Sequence, residues 1–216
     1  MVKLRNHYLF IIITIIYLGL RIFASDPWTG ATITNDTNSY VTTSKESVFS
    51  KQFLSGAWPI TLPLLYKIFT PPGGYDTSIR SEPSLGIIPG LQEHPGFSQI
   101  AFVQSSISVF SWWVLALALY RRLKNNLIKY LGVLFILVSS CLPEIVSWDH
   151  VMMAESLSYS LFALILALSL MIFQKEFFTG EPVPSARKWL FAGFIIVFFL
   201  WVNARDTNAY FLLVTF

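Results

Sequence analysis

The chain has 216 residues, 54% of them apolar and only 12% charged, with a mean hydropathy of +0.59; this balance belongs to multi-pass membrane proteins and excludes a single water-exposed globular core. The formal net charge of +3 comes from Lys and Arg gathered between apolar stretches, which membrane topology explains and which excludes nucleic acid as a partner. Cys141, the single cysteine, lies in an apolar stretch, so neither an intrachain disulfide framework nor a Cys-rich metal site is available.

In chain order, Lys3 and Arg5 precede an apolar segment over 8–24. A signal peptide has the same layout, and Ala24 offers a small residue at a cleavage point. Arg21 interrupts that region and Ile22 is large where a small residue is preferred, so the segment reads as an uncleaved first span with Arg21 snorkelling outward. Further spans are predicted over 97–120, 127–146 (broken near its end by Pro143), 156–173 and 189–203, with a sixth starting at 207. The apolar run from Tyr210 to Phe216 is too short to cross a bilayer, which needs about 20 residues. The 216 residues are therefore expected to form one transmembrane domain, the N-terminal part of a longer chain.

Charge sets the expected orientation. Lys3, Arg5, Arg121, Arg122, Lys124, Lys129, Lys175, Arg187 and Lys188 fall on one side, nine of fifteen basic residues, while ten of twelve acids fall on the other. The basic side, with the N-terminus, is predicted to be cytoplasmic.

The other side carries a loop over 25–96, long for a connection between two spans and so expected to be functional. Its 36–54 stretch suits a short surface helix. The segment 58–69 is apolar but too short to span, and is expected in the interface or across helix ends. Pro71-Pro72-Gly73-Gly74 ends it, and 75–93 reads as an irregular flap.

Three groups of ionisable residues would converge on that side: Asp36 with Tyr40, then Asp149, His150 and Glu155, and finally Arg205 with Asp206. Charges at a membrane boundary are costly to bury, and a pocket facing water or a charged ligand is the usual reason for gathering them. Asp36 and Tyr40, four apart, share a helix face. Asp36 could take a proton from a hydroxyl, or Asn35 or Asp36 could simply cap the helix. Glu155 could hold a substrate hydroxyl or complement a helix dipole. A metal site of Asp149, His150 and Glu155 is a weak signal, because one His and two carboxylates meet often by chance. Arg205 suits a phosphate or diphosphate, or pairs with Asp206. Lys67 and Arg21 are further cations that could meet a lipid phosphate.

This layout resembles the GT-C class of integral-membrane glycosyltransferases, which use polyprenyl-phosphate-linked sugars. The resemblance rests on one helix, a large loop opening with Asp36-Thr37-Asn38-Ser39-Tyr40, a Gly-x-x-Pro-x-x-x-Pro-Leu-Leu-Tyr stretch over 56–66, a span with Gln104 near its start, and a turn ending in Ala154-Glu155-Ser156-Leu157. It implies an all-α multi-pass fold, a GT-C-like helical bundle whose large first outer loop carries short interfacial helices. It also implies Asp36 as general base, Glu155 in the same pocket, and Arg205 on the lipid phosphate. The partners implied are a lipid-linked sugar donor and a lipid, glycan or protein acceptor at the membrane. The resemblance implies no certain cofactor: a divalent metal is possible, but Thr37 stands where some members carry a second acid, which counts against metal dependence. A different class of function is also open: a non-enzymatic transporter or flippase component, or an assembly partner, for lipid-linked sugars. A transporter should place ionisable or helix-breaking residues near mid-span, whereas these spans are clean in their centres.

Overall fold

The computed structural model describes residues 2–25, 31–55, 59–75, 96–173 and 185–215. Among them the regular structure is helical, and the one β-bridge, Thr32 with Val151, is isolated. The expected flap over 75–93 lies, apart from Tyr75, outside the described residues.

The apolar runs become α1 (Val2–Ser25), α5 (Phe97–Arg122), α6 (Asn126–Ser140), α8 (Ala154–Ile172) and α9 (Ser185–Val202). The first long loop holds α2 (Asn35–Lys45), α3 (Lys51–Ser55) and α4 (Thr61–Ile68); α7 (Pro143–Trp148) bridges α6 and α8, and α10 (Asp206–Thr215) follows α9. Three stretches, His7–Ala24, Phe97–Arg122 and Ala154–Ile172, are long and apolar enough to cross a membrane. The third apolar run is shorter than the sequence suggests. Pro143 has no N–H to continue α6 and disfavours a helical residue before it, so Leu142 is extended and Pro143 opens α7 instead.

Side-chain contacts give the helix directions. On α1, Tyr17 donates to the Val109 carbonyl and Arg21 to Ser108, while His7 faces Tyr120, so α1 runs antiparallel to α5. Leu115 and Ala118 of α5 share a cluster with Ala163 and Ala167 of α8, and Gln104 near the start of α5 reaches the Met153 carbonyl just before α8, so these two are parallel neighbours whose small residues let them approach closely. In α6, Val133 and Leu137 pack with Ala116, Tyr120 and Tyr17. The result is a bundle with two unlike ends. Arg121, Arg122, Lys124 and Lys129 lie at one, and the starts of α5 and α8 lie at the other.

That second end is capped by the long loop. Of α4, Thr61, Leu62, Pro63 and Tyr66 are buried. Leu62 and Tyr66 join Tyr40, Phe97, Ile100, Met152, Leu157 and Trp201 in one core. The described part of the 58–69 segment, from Pro59 on, thus packs across helix ends, one of its two expected placements. On the flanks, Ile11, Ile15 and Ile16 of α1, Phe135 of α6 and Ile196 of α9 are exposed, as surfaces facing lipid would be.

Candidate functional site

The local design begins at the start of α2. Thr34, extended at φ −117° and ψ 171°, holds the N-cap position, and its N–H donates to Thr37 Oγ1 at 2.9 Å. The cap expected at Asn35 or Asp36 is therefore corrected: the threonine pair supplies it. Asp36 stands in the first helical turn, beside the cap and not at it.

A short strap ties this turn to the start of α8. The Thr32 N–H donates to the His150 carbonyl at 2.8 Å, and the Met152 N–H donates to the Thr32 carbonyl at 2.9 Å. The Met152 carbonyl accepts from Thr37 Oγ1 at 3.2 Å and from the Tyr66 hydroxyl at 3.3 Å, while Gln104 Nε2 donates to the Met153 carbonyl at 3.2 Å. Three sequence-distant segments are thereby held against Met152 and Met153. The junction of α9 and α10 docks beside them: the Thr61 N–H donates to the Asn203 carbonyl at 3.0 Å, and Asn208 Nδ2 donates to Ser158 Oγ and to the Trp201 carbonyl.

On this framework the predicted groups converge. Arg205 Nη2 lies 3.1 Å from Glu155 Oε1, with the Arg205 side chain 41% exposed and the Glu155 side chain 9%. Glu155 Oε2 is buried and makes no hydrogen bond among the described residues. Tyr40, stacked on Tyr66 with ring centroids 6.3 Å apart, sits within electrostatic reach of Asp36, Glu155, Arg205 and Asp206. Burial first, then the negative charge of Asp36 and Glu155, pushes the Tyr40 phenol up to about 12. It remains a neutral hydrogen-bond donor near neutral pH. One end of the bundle thus gathers carboxylates, a partly exposed guanidinium and a neutral phenol, a set suited to hydroxyl groups beside an anion.

The other predicted residues lie elsewhere. Asp149 belongs to a separate buried cluster, with Oδ2 accepting from Arg21 Nη2 at 2.6 Å and Oδ1 accepting from Ser156 Oγ at 2.6 Å. Arg21 also donates to Ser108 Oγ at 2.6 Å, and its side chain is 0% exposed. The snorkelling expected of Arg21 is thus overturned, because an inward acid partner competes successfully with the surface. Asp149 thereby ties α1 to the start of α8. His150 is buried next to it. Lys67 donates from Nζ to the carbonyls of Ser44 and Glu46 at 3.0 and 2.8 Å, tying down the end of α2. Asp149, His150 and Glu155 do not form a ligand set, and among the described residues no three His, Cys, Asp or Glu side chains are grouped to hold a metal.

Sequence reasoning missed Thr37 as an anchor and Asp149 as the partner of Arg21. An arginine inside an apolar helix was the available signal for the second. No protein-family model matches this chain, and no curated protein or solved structure matches it.

Proposed function

We propose that the chain carries the catalytic end of a membrane glycosyltransferase of the GT-C type, moving a sugar from a polyprenyl-phosphate donor to a hydroxyl acceptor with inversion. The observation that carries this reading is the convergence at one bundle end of Asp36, Tyr40, Glu155 and the partly exposed Arg205. In the proposed step Asp36 takes the acceptor hydroxyl proton as the acceptor oxygen forms its bond to the sugar C1. The bond between C1 and the phosphate oxygen breaks, and the phosphate leaves with that electron pair toward Arg205. Glu155 orients the guanidinium through Oε1 and offers Oε2 to a sugar hydroxyl, while Tyr40 donates to an oxygen of the substrate. The Arg and Lys at the opposite end argue that the site faces away from the cytosol. Charge gathered at one end, with clean span centres, favours transfer over transport.

The test is transfer of labelled sugar from a polyprenyl-phosphate donor in membranes containing the chain. Asp36→Asn should lower the rate by about 10²–10⁴-fold, the range for losing a general base, with the folded yield unchanged. Undiminished transfer by that variant would remove Asp36 from its role. A wild-type chain that transfers nothing would overturn the enzymatic reading and leave a transport or assembly role.

A further inference from the structure

A cavity of about 480 Å³ lies between α1 and α5, away from Asp36 and Arg205, lined by Thr14, Leu18, Arg21, Ser105, Val109 and Trp113 among others. Its size is that of an ordinary ligand pocket. The lining is almost wholly apolar, and the helix surfaces flanking it are open: Ile22 is 59% exposed and Phe110 55%. Trp113 Nε1 donates to Thr14 Oγ1 at 3.4 Å across the end nearer mid-span. From Thr14 to Arg21 the groove follows seven residues of helix, roughly 10 Å at the α-helical rise.

At its other end the groove meets unmatched polarity. Arg21 donates from Nη2 to Asp149 and Ser108, and the Tyr17 hydroxyl lies within its reach; the buried Nε and Nη1 still make no well-formed hydrogen bond among the described residues, and neither does the buried Ser105 Oγ. Buried donors without acceptors are disfavoured, and an outside acceptor is one way to satisfy them. Its chemistry is constrained, because Asp149 already neutralises Arg21. A second anion would enter a low-dielectric site without a counter-charge, whereas a neutral carbonyl oxygen would not.

We propose that this groove binds one acyl chain of a glycerophospholipid from the surrounding bilayer, with the chain between α1 and α5 and its ester carbonyl accepting from Arg21. An isoprenoid chain fits less well: it offers no oxygen along its length, and its phosphate would bring the uncompensated charge. This site is separate from the transferase pocket and stands without that reading. Bound lipid would brace α1, whose exposed flank otherwise depends on few partners in the bundle.

The probe is a phosphatidylcholine with a diazirine midway along one acyl chain, in nanodiscs holding the full chain. Photolabelled peptides are mapped with either unlabelled diester lipid or its diether analogue, which lacks the carbonyls, as competitor. Labelling should concentrate on residues 14–22 and 102–113, the diester should compete at least five-fold better than the diether, and Ser106→Trp, which fills the groove, should cut labelling at least five-fold. Equal labelling of the exposed faces of α6 and α9, equal competition by the diether, stronger competition by polyprenyl phosphate, or labelling unchanged by Ser106→Trp would each overturn the proposal. Should that variant fail to fold, the diester and diether comparison on the wild type still decides.

Discussion

Arg21 and Asp149 are 128 positions apart, yet their 2.6 Å contact joins α1, α5 through Ser108, and α8 through Ser156. Removing one partner of a buried pair leaves the other charge uncompensated, at a cost of about 3–5 kcal/mol, whereas replacing both with apolar residues is often near neutral. Arg21→Met should therefore lower the unfolding midpoint of detergent-solubilised protein sharply, and Arg21→Met with Asp149→Leu should recover more than half of the loss. A double variant no better than the single would show that the pair's attraction, and not relief of a stranded charge, is what matters. The Glu155–Arg205 contact is different in kind. With Arg205 partly in solvent, it contributes about 0–1 kcal/mol to stability at most, and its geometry bears on ligands more than on folding.

Among the elements, the long loop depends on close contact between its 69–75 turn and Gly96, just before α5. Gly96 has φ +92°, and a Cβ built there would come within 2.5 Å of Pro71 Cγ and 3.2 Å of its Cδ. The obstacle is a rigid ring, so Gly96→Ala must both strain the backbone and displace the 69–75 turn. The left-handed conformation alone costs roughly 1–2 kcal/mol. The variant should unfold at lower temperature and lose the packing of Tyr75 on Phe97, whose centroids are 4.7 Å apart; a neutral result would mean that the turn moves freely. The same logic explains α4, which is too short to span but is held by Thr61 at α9 and by Tyr66 at Met152.

For the molecule as a whole, the tyrosine cluster over the helix ends links stability to alkaline pH. Burial pushes Tyr75 up to about 12 and, with Asp36 and Glu155, brings Tyr40 to about 12; burial also holds Tyr66 well above its ordinary value. In the unfolded chain these phenols titrate near about 10. Above that pH the unfolded state releases protons that the folded state retains, so stability, full below about pH 10, must fall as pH rises toward 12. A midpoint measured against pH should decline over this window, and Tyr40→Phe should make the decline shallower; a slope unchanged by the substitution would place Tyr40 outside the linkage.

Hydropathy and length alone determined where the apolar helices run, because a helix that must bury its backbone polarity within lipid needs a long uncharged stretch. They also marked Glu155 and Arg205, each at the edge of such a stretch, while Asp36 stood out through the long polar loop that carries it. What single-chain periodicity does not carry is pairing. Only the tertiary structure decided that Arg21 turns inward to Asp149, that Lys67 closes α2, that Thr34 takes the cap from Asp36, and that Glu155 meets Arg205. The physical reason is that a charge in low dielectric is governed by its nearest counter-charge and not by its neighbours in sequence.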